Sequence, residues 1–159
     1  MREIKYRAWL KEEKRMVNVE DISLDYQQIS YKPFKEEDLE FQEHLKTIMP
    51  GKFQGCLSSS LFKEIELMQY TGLKDTNGKE IYEGDIVKIN TELFDDLIGI
   101  IKFGTKEYKN NSNHSYTYGF YIDILNEPYS HFRGDMIWYL RNKVEVIGNI
   151  YENEDLIRG

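Results

Sequence analysis

Glu83 and Asp85 stand two residues apart where an apolar strand pattern begins. At that spacing on an extended strand, side chains share a face. Paired carboxylates divide acid and base roles when their surroundings differ. His131, beside Phe132-Arg133-Gly134-Asp135, adds a third titratable group. These three are the residues a small hydrolase-like enzyme would have to use. A plainer reading suits them better: Gly84-Asp85 forms a turn whose carboxylate accepts nearby backbone amides. The expected catalytic set is therefore empty, and the chain is read as more non-enzymatic than enzymatic.

Metal and cofactor chemistry find no motif. His44, His114 and His131 make no His-x-x-x-His or related spacing, and Cys56 is the sole cysteine. Cys56 has no local base to activate it and reads as an inert thiol. Gly72, Gly78 and Gly84 punctuate turns and do not form a phosphate-cradling loop. The expectation is no metal and no cofactor. Arg133-Gly134-Asp135 reads as a turn between strands.

Binding chemistry has two sources. The first is aromatic: the chain holds 12 Tyr and 8 Phe. Tyr116, Tyr118, Tyr121, Tyr129, Trp138 and Tyr139 fall in one short region, and Tyr118, Tyr121, Trp138 and Tyr139 are the binding candidates. Exposed rings dock peptides or stack bases, and Tyr also serves subunit interfaces. The second is the basic N-terminal set Arg2, Lys5, Arg7, Lys11, Lys14 and Arg15, the candidates for phosphate contacts. Against it stands a net charge of −7, which repels phosphate backbones and anionic membranes. The imbalance lies late in the chain: 13 basic against 14 acidic residues through Lys79, then 8 against 14.

These residues need elements to hold them. Ile4, Tyr6 and Ala8 alternate with charged neighbours, and Met16, Val17 and Val19 return, so residues 3–20 read as a hairpin. Ile22, Leu24 and Tyr26 continue the alternation as a further strand. Phe34 to Met49 reads as one helix, with acidic residues in its first turn and Pro50-Gly51 as its stop. Glu64 to Tyr70 is a strand, and Asp75-Thr76-Asn77-Gly78 a turn. Five short strands follow: 86–90, 98–103, 116–125, 136–140 and 144–150. Gly99 marks a bulge or a close backbone approach. Residues 105–115 read as a polar loop, and Asn153 as the cap of a last helical turn.

The fold expected is α+β, mostly β. Residues 1–79 form an N-terminal hairpin region with one helix. Residues 80–159 form a small Src-homology-3-like barrel or a twisted antiparallel sheet. One cysteine, no secretory leader and no bilayer-length apolar run point to the cytoplasm.

The stretch LMQYTGLKDTNGKEIYEGDIVK, residues 67–88, resembles the signature block of the YopX family of phage- and prophage-encoded proteins. Residues 2–9, REIKYRAW, are similar to that family's opening strand, and residues 144–153, VEVIGNIYEN, to its closing strand. The matching blocks bracket the chain. The resemblance implies phage or prophage provenance within a bacterial host and brings no catalytic residue or cofactor. The leading expectation is a non-catalytic, homo-oligomeric protein-interaction module acting on a host or phage protein. The alternative is a nucleic-acid-binding protein of phage origin.

Overall fold

The structure, a computed structural model, describes residues 3–32, 47, 57–90, 97–109, 114–125 and 143–158. The chain is mostly β, as its aromatic and β-branched content dictates. It divides into two compact units, residues 5–67 and residues 68–159 with 1–4. The helix expected at 34–49 and the strand expected at 136–140 lie outside the described residues, apart from Thr47. No helix among the described residues is long and apolar enough to cross a membrane.

In the smaller unit, β1 (Tyr6–Leu10), β2 (Arg15–Ser23), β3 (Gln28–Tyr31), β4 (Ser58–Leu61) and the start of β5 (Ile65–Lys74) follow the order β4-β3-β2-β1-β5. The expected hairpin forms, with Ala8 opposite Val17 and Leu10 opposite Arg15. Lys14 takes the positive φ of its turn, at 49°. Ala8, Leu10, Val17, Ile29, Tyr31 and Ile65 make the core. The strand read through Leu24 and Tyr26 does not form. β2 stops at Ser23, the chain reverses with Gln27 at φ 52°, and Leu24 and Tyr26 are exposed. Alternation alone misled there, because those two apolar residues sit on a turn.

In the larger unit, β5 pairs with β6 (Glu80–Tyr82), and a four-stranded sheet has the order β10-β7-β8-β9. Its strands are β7 (Asp85–Ile89), β8 (Leu97–Lys109), β9 (His114–Ile124) and β10 (Val144–Asn149). Ile81, Val87, Ile89, Leu97, Ile101, Phe120, Ile122, Val144 and Val146 form its core. A 3-10 turn, Glu154–Ile157, follows Asn153, whose Oδ1 accepts the Asn149 amide at 3.1 Å.

The expected barrel does not close. β10 and β9 stand at the margins of an open antiparallel sheet among the described residues. A turn takes the outer edge of β10: Thr76 N–H donates to Val144 O at 3.0 Å, and Val146 N–H donates to Asp75 Oδ2 at 3.0 Å. Asp75 Oδ1 accepts the amides of Asn77 and Lys79, each at 2.8 Å. The Asp75 turn thus supplies what a further strand would otherwise supply to β10.

The polar stretch 105–115 is largely strand. β8 and β9 pair in unbroken register from Gly99–Ile124 to Lys109–His114. Near its base the ribbon is tight. A Cβ on Gly99 would lie 2.4 Å from Ile122 Cγ2 and 3.0 Å from Asp123 O. Farther out, Gly104 and Gly119 stand opposite each other, both at φ 144°, a conformation reserved in practice for glycine.

Two outcomes follow for stability. Gly99→Ala forces Ile122 and the strand backbone apart, and chemical denaturation reads a loss of about 1–3 kcal/mol. Asp75→Ala strands three amides and costs about 2–4 kcal/mol at neutral pH. Burial raises the Asp75 pKa, but the amides of Val146, Lys79 and Asn77, with the Lys79 charge, outweigh it and hold it below the ordinary value. A depressed folded pKa gives stability that is present above the unfolded pKa and lost as pH falls through the folded one. The gap between wild type and Asp75→Ala therefore narrows on acidification; a gap that does not narrow with pH refutes the assignment.

Candidate functional site

The carboxylates singled out for catalysis are committed to backbone. Asp85 is 1 % exposed, and its Oδ2 accepts the Tyr82 amide at 2.8 Å. Glu83 is half-buried, and its carboxylate accepts amide hydrogens from Gln69 on β5 and Phe103 on β8. Burial pushes the Glu83 pKa up by more than those two amides pull it down.

Glu83 and Gly84 do for β8 what Asp75 does for β10. β7 pairs with β8 only as far as Ile86–Ile100. Beyond that point Gly84 N–H donates to Ile101 O at 2.8 Å, Glu83 takes the Phe103 amide, and Ile150 N–H donates to Gly84 O at 3.0 Å. Gly84 holds φ 78°, so a side chain there would be strained. The Glu-Gly-Asp triplet is thus an edge cap. His131 lies outside the described residues, as do Cys56, His44, Trp138 and Tyr139. No group of three or more His, Cys, Asp or Glu side chains that could hold a metal occurs among the described residues.

The basic N-terminal set offers little free positive charge. Arg2 lies outside the described residues, Arg7 is buried, and Lys5 is half-buried. Lys11 pairs with Glu66 at 2.8 Å and also donates to Lys63 O. Arg15 pairs with Glu13 at 2.7 Å and lies 5.9 Å above the Tyr31 ring. Lys14 is exposed at the hairpin turn.

Aromatic exposure concentrates on the β8–β9 ribbon. Ile101 and Ile122 face the core as a cross-strand pair, and the same face continues outward through Phe103–Phe120 and then Thr105–Tyr118. Phe103 packs on Phe120 with centroids 4.9 Å apart and on Tyr118 edge-on at 5.3 Å. Along this face Phe120 is buried, Phe103 is 40 % exposed, Tyr116 65 % and Tyr118 74 %. The core surface therefore runs out along the ribbon and emerges into solvent. Near the outer end Tyr116 OH donates to Glu107 Oε1 at 3.1 Å; this bond and the Glu107 charge raise the Tyr116 pKa.

The reverse face is charged. Lys102 and Lys106 both reach Asp123, at 2.5 and 2.9 Å, and Lys106 stands 5.3 Å over the Tyr121 ring. Burial raises the Asp123 pKa, but the two ammonium groups more than offset it and leave it below the ordinary value. Tyr118 and Tyr121 thus lie on opposite faces, as an odd spacing on a strand requires. Phe103 was missed as a binding residue because a core strand was expected to end there; its place opposite Phe120 is set by the register.

The described residues form antiparallel β sheets, with sheet edges capped by carboxylates and exposed aromatic rings on the β8–β9 ribbon. The chain belongs to the YopX family: the model for the YopX protein matches residues 5–158. The fold is similar to the crystal structure of protein EF1440 from Enterococcus faecalis, at 24 % identity and a TM-score of 0.53, covering 99 % of this chain and 100 % of that one. No curated protein matches the chain.

Carboxylate titration followed by NMR is expected to find Glu83 above its ordinary 4.5, and Asp75 and Asp123 below 3.8. The raised Glu83 pKa contributes stability at acid pH that is lost as pH rises through its folded value. A Glu83 titration below 4.5 would contradict the half-buried placement of its carboxylate.

Proposed function

We propose that this YopX-family chain is a phage- or prophage-derived accessory protein of the bacterial cytoplasm. It works without catalysis, as an interaction module that presents its β8–β9 ribbon to a protein partner. One observation carries the reading: the face holding Phe103, Tyr116 and Tyr118 continues the core into solvent. Rings left wet in this way gain free energy when a partner covers them. Homo-oligomerisation through the same rings is the second part of the proposal.

The nucleic-acid reading draws on the same exposed rings, since Tyr stacks on bases. Its electrostatic half is thin: Lys11 and Arg15 are held by carboxylates, and Arg7 is buried. The enzymatic reading requires Glu83 and Asp85 to leave the amides that they cap.

Affinity capture from lysate of a phage-carrying host, with and without nuclease, tests this reading when wild type is compared with Phe103→Ser/Tyr118→Ser. The expected result is a protein retained by wild type after nuclease treatment and lost from the variant, whose thermal transition stays cooperative. Equal retention by both proteins removes the ribbon face from the function. Recovery of nucleic acid, with binding that weakens steeply with salt, brings the second reading forward. Light scattering that finds a monomer at every concentration removes the oligomeric part.

A further inference from the structure

The ribbon has a backbone edge as well as an aromatic face. In β8 the odd-numbered residues turn their N–H and C=O groups away from β9, as Ile101 O and the Phe103 amide show by bonding Gly84 and Glu83. Strand alternation sends the Phe103 carbonyl and both backbone groups of Thr105 the same way. β7 ends at its pairing with Ile100, and the Glu83 cap ends at Phe103. Among the described residues no strand or turn reaches Thr105. Its side chain is exposed, and it stands opposite Tyr118.

We propose that the β8 edge at Thr105 takes an extended segment of a partner protein by strand addition. This rests on the interaction-module reading and names the partner's chemistry. The segment pairs antiparallel with β8, a mode in which main-chain bonds give affinity and alternate side chains give specificity. Its residue opposite Thr105, and those two positions either side, lie on the face of Phe103 and Tyr118 and are apolar. The residue opposite Lys106 lies on the reverse face. There, among the described residues, Lys102 and Lys106 share the single carboxylate of Asp123, which leaves one positive charge in excess. An acidic residue complements it, as opposite charges in a cross-strand pair do. The −7 charge of the chain disfavours a segment with many acids. The partner segment is therefore β-branched and apolar on one face, with a single carboxylate on the other.

A second copy fits less well. Pairing β8 with itself about Thr105 sets Phe103 opposite Glu107 and Lys106 opposite Gly104. The excess lysine charge stays unpaired, and two acidic chains are brought together.

The test uses the full chain, 15N-labelled, and an acetylated, amidated nonapeptide in which Thr and Val alternate around a central Glu. Its counterpart carries a central Lys. Binding is expected to shift the Thr105 amide most and to slow its hydrogen exchange. The Lys peptide is expected to bind about fivefold more weakly, the swing from an attractive to a repulsive cross-strand pair. Thr105→Pro removes the outward N–H at a position where an edge strand tolerates proline, and abolishes binding. Should that variant lose its native spectrum, hydrogen exchange at Thr105 in wild type decides alone.

No shift at millimolar peptide overturns the proposal. So does peptide binding that Thr105→Pro leaves intact, or Thr105 shifts that follow protein concentration without peptide, which assign the edge to a second copy. The two readings part in the lysate experiment. If Thr105→Pro retains the captured protein while Phe103→Ser/Tyr118→Ser loses it, strand addition is wrong and the interaction module stands. If both aromatic substitutions leave capture unchanged, the ribbon face is removed from the function, and the reading on which strand addition rests fails.

Discussion

Backbone groups at a strand margin must find a partner or stay in water, and in the larger unit short carboxylates meet that demand. Asp75 holds three amides at once and closes the outer edge of β10. Glu83 joins β5 to β8 through the amides of Gln69 and Phe103, while Asp85 fixes the turn from β6 into β7. Each replaces part of a strand. A carboxylate suits this work because it offers several acceptor sites from a small side chain, and charge-assisted bonds to amides are the stronger kind. The cost is desolvation. It is met fully at Asp75, where three amides and Lys79 leave the pKa depressed, and only partly at Glu83, where the pKa is raised.

This arrangement explains why a sheet of barrel-like strand lengths stays open. A closed barrel would satisfy β10 with another strand, but the Asp75 turn already occupies that place. Turn and cap hold the base of the sheet, and among the described residues β8 and β9 run on as a pair. A two-stranded ribbon is marginal in water. Here it is supported by Phe103 packed between Phe120 and Tyr118 on one face, and by Lys102, Lys106 and Asp123 on the other. Gly104 and Gly119, paired between those supports, let the backbone take a conformation that side chains forbid.

The hairpin of β1 and β2, the Asp75 turn and the closing strand β10 were all legible, because apolar alternation and Asn-Gly chemistry act locally. So was the close approach at Gly99, although only the register identifies Ile122 as the neighbour. The outer half of β8 was not legible. Residues 105–107 carry exposed or half-buried side chains on both faces, so no hydrophobic alternation records their strand state; it exists in the ladder with β9, whose own alternation was legible from Tyr116. Leu24 and Tyr26 failed in the opposite sense, showing alternation on a turn. The candidate site was half legible: Tyr118 was marked by its residue type, whereas Phe103 and the Lys106–Asp123 pair required the register. Glu83 and Asp85 have the spacing of a catalytic pair, but the turn reading, with the Asp85 carboxylate accepting a nearby amide, is the preferred one, and Asp85 accepts the Tyr82 amide.

An open edge invites uncontrolled pairing, which natural sheets suppress with bulges, prolines or charged side chains. The two margins of this unit differ in that respect. At β10 the suppression is complete: a turn occupies the edge, and a bulge follows Val146. At Thr105 it is only partial. Lys102 and Lys106 place excess positive charge on one face, which hinders identical strands from stacking there, yet Phe103 and Tyr118 leave the other face apolar and wet. A margin meant only to be inert would gain from a charge at Tyr118, where 74 % of the residue meets solvent. Partial suppression of this kind is compatible with a heterologous strand and disfavours a like one, and it is the physical ground for the proposal that the ribbon is a binding element.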